Sequence, residues 1–136
     1  MDKITPDVRS SNMRAIKGRD TAPEMTVRRV LRQLGFPGYR VHRKDLPGKP
    51  DIAFIGRKKV VLVHGCFWHG HDCPVGLRRP QSRQDYWVPK IARNQARDAK
   101  HLAALASMGW RILVIWECEV HGPHLTRRLR EFMETP

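Results

Sequence analysis

The segment from His64 to Cys73 contains three histidines and two cysteines in ten residues. Thiolates and imidazole nitrogens are the ligands that zinc prefers, and short spacings let one loop supply several of them. Cys66, His71 and Cys73 would supply three ligands, and Cys118, which lies beyond a distant apolar run, would supply the fourth. We therefore predict a closed, structural zinc site. The alternative is a set of unligated buried thiols and surface histidines.

Asp51 and His64 are two further groups that could do chemistry. Each lies at the end of an apolar segment, and the tight turn between the two segments predicts a β-hairpin that brings Asp51 and His64 to one end of a sheet. A carboxylate placed there can hold Mg²⁺ against a phosphodiester, and histidine suits general-base catalysis near neutral pH. His69 is a second unassigned histidine. Asp51 could instead be an ordinary turn carboxylate after Pro50.

The elements that position these residues follow from hydrophobic spacing and turn signals. We predict helices at Pro23 to Leu34, Tyr86 to Met108 and Pro123 to Met133, and strands at Tyr39 to His42, Asp51 to Ile55, Lys59 to His64 and Trp110 to Trp116. The last strand is almost continuously apolar, which is typical of a strand covered on both faces. The long helix should bury a face made of Ile91, Gln95, Leu102, Leu105 and Ala106. This order predicts an α/β domain with a mixed central sheet flanked by helices on both faces.

Chain length and net charge limit the number of domains and the kind of partner that the protein can have. The 136 residues predict a single domain, 1–136, and 26 Lys and Arg against 13 Asp and Glu give a formal net charge of +13. So large an imbalance destabilises a small domain by self-repulsion, which favours a polyanionic partner, and nucleic acid rewards each added cation. Residues 1–20 carry five basic side chains with almost no apolar spacing, and they predict a DNA-binding arm. The alternative is a solvated, frayed tail.

Several other classes are disfavoured. No stretch approaches the roughly 18 apolar residues of a transmembrane helix. The first residues lack the apolar core of a signal peptide, so we expect a cytoplasmic protein. The odd number of cysteines, three, argues against a closed disulfide framework.

At this point the sequence resembles the very short patch repair (Vsr-type) mismatch endonucleases over nearly its whole length. The matching blocks occur in order and with near-identical spacing: Arg9 to Ile16, Arg19 to Glu24, Leu46 to Asp51, His64 to Cys73, Tyr86 to Asn94, and Gly109 to Cys118. The resemblance implies a restriction-endonuclease-like core and Mg²⁺-dependent hydrolysis of double-stranded DNA. It also implies a nick on the 5′ side of the thymine in a T:G mismatch, which arises in bacteria when a 5-methylcytosine deaminates.

The resemblance also implies roles for the residues above. Asp51 would be the Mg²⁺ carboxylate, and residue 63, here Val63 where threonine is common, would supply a backbone carbonyl. His64 and His69 would handle proton transfer, and Glu24 would approach the same water network from the first helix. The family departs from the wider PD-(D/E)xK pattern because Leu62 and His64 stand where the second acid and the lysine would be. The family's zinc ligands coincide with the four residues inferred above.

For DNA, the resemblance assigns Phe67, Trp68 and Trp87 to intercalation beside the mismatch, with Met13 entering from the other groove. Lys90 and Asn94 would read the mismatched bases. Such wedges open a base step at a cost of a few kcal/mol, and a mismatch lowers that cost. For each aromatic side chain alone, core packing is the alternative. Further basic side chains should meet phosphates, which positions the protein without specifying sequence: Arg14, Lys17, Arg19, Arg78, Arg79, Arg83 and Arg93.

Two other functions share part of this pattern. A zinc-stabilised DNA-binding module without catalysis would need the charge and the Cys/His cluster but not the acids and histidines at one end of the sheet. A related nicking nuclease with another target would need the catalytic residues but not the Lys90 and Asn94 pair. We expect a monomer, with other mismatch-repair proteins as candidate partners.

Overall fold

The computed structural model describes residues 20–77 and 83–136. It contains four helices, four strands and one 3₁₀ turn within those ranges. In chain order they are α1 (Ala22–Gln33), β1 (Arg40–Val41), β2 (Ile52–Phe54), β3 (Lys59–His64), α2 (Pro74–Leu77), α3 (Gln84–Ser107), β4 (Arg111–Trp116), the 3₁₀ turn (Glu117–Glu119) and α4 (Pro123–Glu134).

The four strands form one mixed sheet in the order β1-β2-β3-β4. β2 and β3 pair antiparallel, with Ile52 opposite Val61, and they form the predicted hairpin. β3 and β4 pair parallel with His64 opposite Trp116, because α2 and α3 carry the chain back to the starting edge of the sheet. The residues that follow β3 and those that follow β4 therefore emerge side by side.

Helices cover both faces of this sheet, as predicted. Ile52, Val61 and Ile115 point to one face and share a core with Val27 of α1 and Leu129 of α4. The alternate residues point to the other face, where a second core contains Ala53, Val60, Leu105 of α3 and Trp110. Since side chains alternate along a strand, His64 faces the same side as Val60 and is directed towards α3.

Two details of the prediction need correction. Both faces of β4 pack against a core, Leu113 and Ile115 on one side and Ile112 on the other, but the cover is incomplete: Ile112, Leu113 and Val114 stay partly exposed on this edge strand. The more fully buried strand is β3, which has neighbours on both sides. The predicted buried face of α3 is also too wide, because Gln95 and Ala106 are exposed while Ile91 and Leu105 are buried.

The first helix begins where the sequence offers a cap. The Thr21 hydroxyl accepts the Glu24 N–H at 3.4 Å, and Pro23 occupies the first turn, where its missing N–H costs no hydrogen bond. Gly35 follows the helix at φ +93°, a conformation that glycine adopts without strain. No helix in the described parts of the chain is long and apolar enough to cross a membrane.

Candidate active site

Asp51 lies immediately before β2, and its Oδ2 accepts the backbone N–H of Val63 at 2.7 Å. Continuing the β2–β3 register by two residues places Pro50 opposite Val63. Proline has no N–H to donate, so the ladder offers the Val63 carbonyl no partner on this side. The end of the hairpin therefore presents a carboxylate next to a backbone carbonyl that has no ladder donor.

Burial is the main influence on the pKa of Asp51. Burial and the nearby Glu24 carboxylate together raise this pKa to about 7, against the opposing effects of the Val63 N–H and of the charges of His69 and Arg28. Holding a buried carboxylate in this place destabilises the folded protein unless a cation compensates the charge. The geometry and the electrostatics thus both favour cation binding at Asp51.

His64 and His69 form a stacked pair, with ring centroids 4.0 Å apart and planes 4° from parallel. Burial, followed by the proximity of His69, lowers the pKa of His64 to about 4, so His64 is neutral at neutral pH. His69 Nδ1 donates to Asp98 Oδ2 at 2.5 Å. A carboxylate in this position fixes the orientation of the imidazole ring. Of the two histidines, His69 is therefore the one oriented by a carboxylate.

Asp98 is a site residue that the sequence analysis missed. It follows Lys90 and Asn94 at the same four-residue spacing along α3, so the three side chains share one face of the helix. All three line one cleft of about 670 Å³ together with Asp51 and His69. The repeated spacing was a signal that could have found Asp98.

Phe67, Trp68 and Trp87 form an aromatic cluster on the wall of this cleft. Each pair of rings has centroids 5.4 Å apart, and all three side chains are only half-buried. They belong to neither of the two hydrophobic cores. Core packing therefore does not account for them, and their faces are available to a ligand in the cleft.

Lys90 and Asn94 lie beside the aromatic cluster. The Asn94 side-chain N–H donates to the Trp68 carbonyl at 2.9 Å, and Lys90 Nζ lies 5.6 Å from the centre of the Tyr86 ring. α3 thus holds the Trp68 loop in place through Asn94 while presenting Lys90 to the cleft. Tyr86 itself was not singled out from sequence, although it lines the cleft and is exposed.

The four predicted zinc ligands meet at one place. One donor atom from each of Cys66, His71, Cys73 and Cys118 lies within 4.8 Å of the others, and Cys118 Sγ is 3.5 Å from His71 Nδ1. Ligand atoms of a tetrahedral zinc site with bonds of 2.0–2.3 Å are separated by about 3.3–3.8 Å. The arrangement is close to what a bound ion requires.

The thiols of this cluster differ in their pKa values. The Gly76 N–H donates to Cys73 Sγ at 3.4 Å and helps lower the pKa of Cys73 to about 7. Burial raises the pKa of Cys66 to about 12, so Cys66 would need a cation to become a thiolate. Gly76 is required for close approach, because a Cβ there would lie 1.9 Å from the His71 carbonyl oxygen.

The structure brings every predicted catalytic residue within its described ranges to one region. Asp51, Val63, His69 and Glu24 line the large cleft. His64 lines an adjoining cavity of about 210 Å³ that shares Asp51, Val63, His69 and Asp98 with it. Six residues predicted to bind DNA phosphates or to intercalate lie outside the described residues: Met13, Arg14, Lys17, Arg19, Arg78 and Arg79.

Comparison with known proteins matches residues 1–75 to the family described as DNA mismatch endonuclease Vsr. The chain is 48% identical over 134 residues to the type II nicking enzyme V.XorIIP of Xanthomonas oryzae pv. oryzae, a match covering 98% of this chain and 97% of that protein. It is 40% identical over 138 residues to the DNA mismatch endonuclease Vsr of Escherichia coli, covering 97% and 85%. It is 41% identical over 126 residues to the type II nicking enzyme V.NmeAIP of Neisseria meningitidis, covering 93% and 89%.

The raised pKa of Asp51 gives a prediction about stability. A carboxyl whose pKa is higher in the folded state stabilises the fold fully below the unfolded-state pKa near 4, and that stability is lost as the pH rises towards 7. Asp51→Asn removes this loss, so in the absence of divalent cations it should raise the free energy of unfolding at pH 8 by about 2–4 kcal/mol. The gain should fade as the pH falls to 4. Urea unfolding of both proteins across this pH range measures it.

Asp45→Asn is the control, because Asp45 is an exposed carboxylate paired with Arg43 at 2.8 Å. It should give no gain at pH 8. An Asp51→Asn protein that is no more stable than wild type at pH 8 would contradict the assignment of Asp51 as a strained, buried carboxylate.

Proposed function

Because the chain belongs to the Vsr family and is therefore a DNA strand-nicking endonuclease, we propose that its target is a T:G mismatch produced by deamination of 5-methylcytosine, nicked on the 5′ side of the thymine. The observation that carries this proposal is the composition of the large cleft. The aromatic cluster of Phe67, Trp68 and Trp87 lines the same cleft as Asp51 and His69. A base step opened by the aromatic rings would lie beside the residues that cut the backbone.

The same cleft supports mismatch recognition over general DNA binding. Inserting an aromatic side chain between bases requires unstacking at a cost of a few kcal/mol, and that cost is lower where pairing is already weakened. Lys90 and Asn94 lie where they could contact the edges of the opened pair. Exposed basic residues near the cleft, such as Arg83 and Arg93, would meet phosphates and add affinity without sequence preference.

The residues at the hairpin end fit a hard divalent cation such as Mg²⁺. The Asp51 carboxylate and the Val63 backbone carbonyl are oxygen ligands, and no ladder N–H competes for that carbonyl. When bound, Mg²⁺ would supply charge stabilisation at the scissile phosphate. A carbonyl ligand is unaffected by having valine rather than threonine at residue 63.

The chain's own residues supply the proton chemistry. His69, held by Asp98, would take the proton from the attacking water as the water oxygen bonds to phosphorus. The bond from phosphorus to the leaving sugar oxygen breaks in the same step, and that oxygen takes up a proton from water in the open cleft. Neutral His64, stacked on His69, would keep that ring in place without adding a second positive charge. Glu24 would orient water from the α1 side of the cleft.

We further propose that the Cys66, His71, Cys73 and Cys118 cluster binds one structural zinc ion. Four protein ligands leave no open position for substrate. The ion would close the His64-to-Cys73 loop onto the end of β4, and that loop carries Phe67, Trp68 and His69. The core is proposed to be restriction-endonuclease-like, with buried Leu62 and His64 in place of the usual second acid and lysine.

A second candidate is nicking of another DNA target. Two of the relatives compared above are named type II nicking enzymes. The cleft contents are compatible with either target, and a labelled duplex distinguishes them. A non-catalytic DNA-binding module is not supported, because such a module does not need the Asp51, His69 and Asp98 arrangement. Monomeric action in the bacterial cytoplasm, with mismatch-repair proteins as candidate partners, remains part of the proposal.

The activity test uses one labelled duplex with T:G or T:A at the same position, with and without Mg²⁺. Wild-type protein should nick the T:G duplex only, and only with Mg²⁺. Asp51→Asn should abolish nicking, and His69→Ala or Asp98→Asn should slow it roughly 10²–10⁴-fold, the usual contribution of general-base catalysis. Binding should persist because it depends mainly on the basic surface and the aromatic rings.

Asp45→Asn, which removes an exposed carboxylate, should nick at the wild-type rate. Equal cleavage of the T:G and T:A duplexes would instead support another target. Mg²⁺-dependent cleavage by Asp51→Asn would place the catalytic centre elsewhere.

The zinc proposal predicts one tightly bound zinc ion per chain in purified protein. Cys118→Ser should lose most of that zinc and melt at a lower temperature, because closing the loop onto the sheet contributes folding free energy. Val75 is an exposed side chain in α2 beside the cluster, and the Val75→Ala protein should keep the wild-type zinc content and melting temperature. Metal analysis and thermal melting measure these effects. A Cys118→Ser protein with unchanged zinc content would contradict the proposed ligand set.

The proposed wedge predicts a selective loss of affinity. Trp68→Ala should weaken binding to the T:G duplex by roughly tenfold to hundredfold, since a base stacked on an aromatic ring is worth about 1–3 kcal/mol. The loss for T:A duplex should be much smaller, because that step stays closed. Binding curves without Mg²⁺ measure both affinities.

Phe36→Ala removes a half-buried ring that packs against the core below α1, away from the cleft, and should change neither affinity. Arg14→Ala should weaken both duplexes about equally and lower the slope of log affinity against log salt by about one. Equal losses for both duplexes with Trp68→Ala would show that Trp68 does not read the mismatch.

A further inference from the structure

Asp20, Glu24 and His42 form a cluster at the start of α1 whose donor atoms lie within 4.8 Å of one another. Such a grouping resembles a metal site, but the Arg28 guanidinium lies among the three. Its Nη2 is 2.8 Å from Asp20 Oδ1, 3.1 Å from Glu24 Oε2 and 3.1 Å from His42 Nε2. Guanidinium is a permanent cation with donors in a rigid fork. The cluster therefore contains its own cation as a side chain.

The contacts of Glu24 in this cluster are all made by one carboxylate oxygen. Oε2 accepts the Asp20 N–H at 3.1 Å and an Arg28 N–H at 3.1 Å, and it lies 3.2 Å from His42 Nε2. Glu24 also lines the cleft that contains Asp51. Oε2 makes all of these contacts, and within residues 20–77 and 83–136 Oε1 has no polar contact, so Oε1 is the oxygen left for the cleft.

Burial makes this arrangement rigid. Glu24 is 5% exposed and Arg28 is 8% exposed, so neither can exchange its partner for water without moving the helix. Their four-residue spacing on α1 lets the two side chains meet on one face. The pair is thus fixed by the same helix that buries Val27 and Leu31 in the core.

His42 ties the cluster to the strand end that carries Asp51. Its backbone N–H donates to the Asp51 carbonyl at 3.3 Å, while its ring contacts Glu24. His42 has φ +51°, which is uncommon for a residue other than glycine and is kept only where the surroundings determine it. Through His42, the position of Glu24 is set relative to Asp51 itself.

We propose that Arg28 and His42 are positioning residues that hold Glu24 Oε1 at a fixed place in the Asp51 site, so that water at the scissile phosphate meets a second, preset carboxylate. This inference rests on the proposed nicking function. Without Arg28, the Asp20 and Glu24 carboxylates would repel each other and Glu24 would leave its place. An error of about 1 Å in the position of a catalytic group can lower a rate by about 10²-fold.

The test is a double-mutant cycle measured as single-turnover nicking of the T:G duplex with saturating protein and Mg²⁺. The proteins are wild type, Arg28→Met, Glu24→Gln and the double variant. Arg28→Met should slow nicking by about 10- to 100-fold, whereas the double variant should be no slower than Glu24→Gln within about twofold. The reason is that Arg28 acts mainly through Glu24, since its direct effect on Asp51 is the smallest of the influences on that carboxyl. Binding of T:G duplex without Mg²⁺ should be unchanged within about twofold in all four proteins.

Arg29→Met is the matched control, since Arg29 is the neighbouring arginine on the exposed side of α1, and it should keep the wild-type rate. Arg28→Lys keeps the charge and should recover part of the rate lost in Arg28→Met. Melting curves show which proteins are folded. If Arg28→Met does not fold, Arg28→Lys and His42→Gln take its place in the same cycle, with smaller losses that should again vanish in the Glu24→Gln background.

Three results would overturn the proposal. Losses that multiply in the double variant would mean that Arg28 acts independently of Glu24. A folded Arg28→Met protein with the wild-type rate would mean that Glu24 needs no positioning, and a Glu24→Gln protein with that rate would remove Glu24 from the reaction. Each of these is distinct from a wild-type protein that nicks no T:G duplex, which would overturn the proposed target and this inference with it.

Discussion

The hydrogen bond from the Val63 N–H to Asp51 Oδ2 is the interaction on which the site depends. It forms because the β2–β3 ladder reaches Pro50, which cannot donate, so a side-chain carboxylate takes the place of a backbone partner. The consequence is a partly buried carboxylate beside a carbonyl without a ladder donor. That combination lowers the stability of the cation-free protein and favours the binding of a cation. Such a loss of stability in return for function is common at functional sites.

The parallel pairing of β3 and β4 joins this centre to the Cys/His cluster. Because His64 lies opposite Trp116, the loop after β3 and the turn after β4 leave the sheet together, and Cys66 comes close to Cys118. Trp116 lies between the two sites. The His71 ring stacks on it with centroids 4.2 Å apart, and the His64 ring meets it edge-on at 5.1 Å. A change in the Cys/His cluster would therefore reach His64 through direct packing.

Helix α3 connects the aromatic cluster to the proposed catalytic residue His69. Lys90 and Asn94 lie beside the aromatic cluster, and Asp98, one turn further on, holds His69. Eight residues of α-helix span about 12 Å, so one rigid element fixes the distance between the aromatic cluster and His69. α1 plays the same part on the opposite wall, where Arg28 and His42 hold Glu24. The cleft is therefore built between two helices that are each anchored in one of the two cores.

The sequence by itself determined the order of the three longer helices and the strands, the mixed sheet with helices on both faces and the Cys/His cluster, but not the short helix α2. The elements follow from hydrophobic period and turn residues within segments of about 10–20 residues. Three ligands of the cluster follow from their close spacing, and Cys118 follows because it is the one remaining cysteine. The membership of the chain in its family was likewise readable from ordered blocks of residues. Only the tertiary structure decided that β4 is an edge strand, since an apolar run has the same composition whether one or both of its sides are paired.

The partners of each polar group were also decided only by the tertiary structure. The Asp98–His69 pair joins residues 29 positions apart, and the Arg28–His42 contact joins residues 14 apart. Nothing in the local pattern of either partner selects the other. Their encounter, and the neutral state of His64 that burial imposes, exist only after the sheet and the two helices have packed, because burial and proximity are properties of the folded chain and not of its segments.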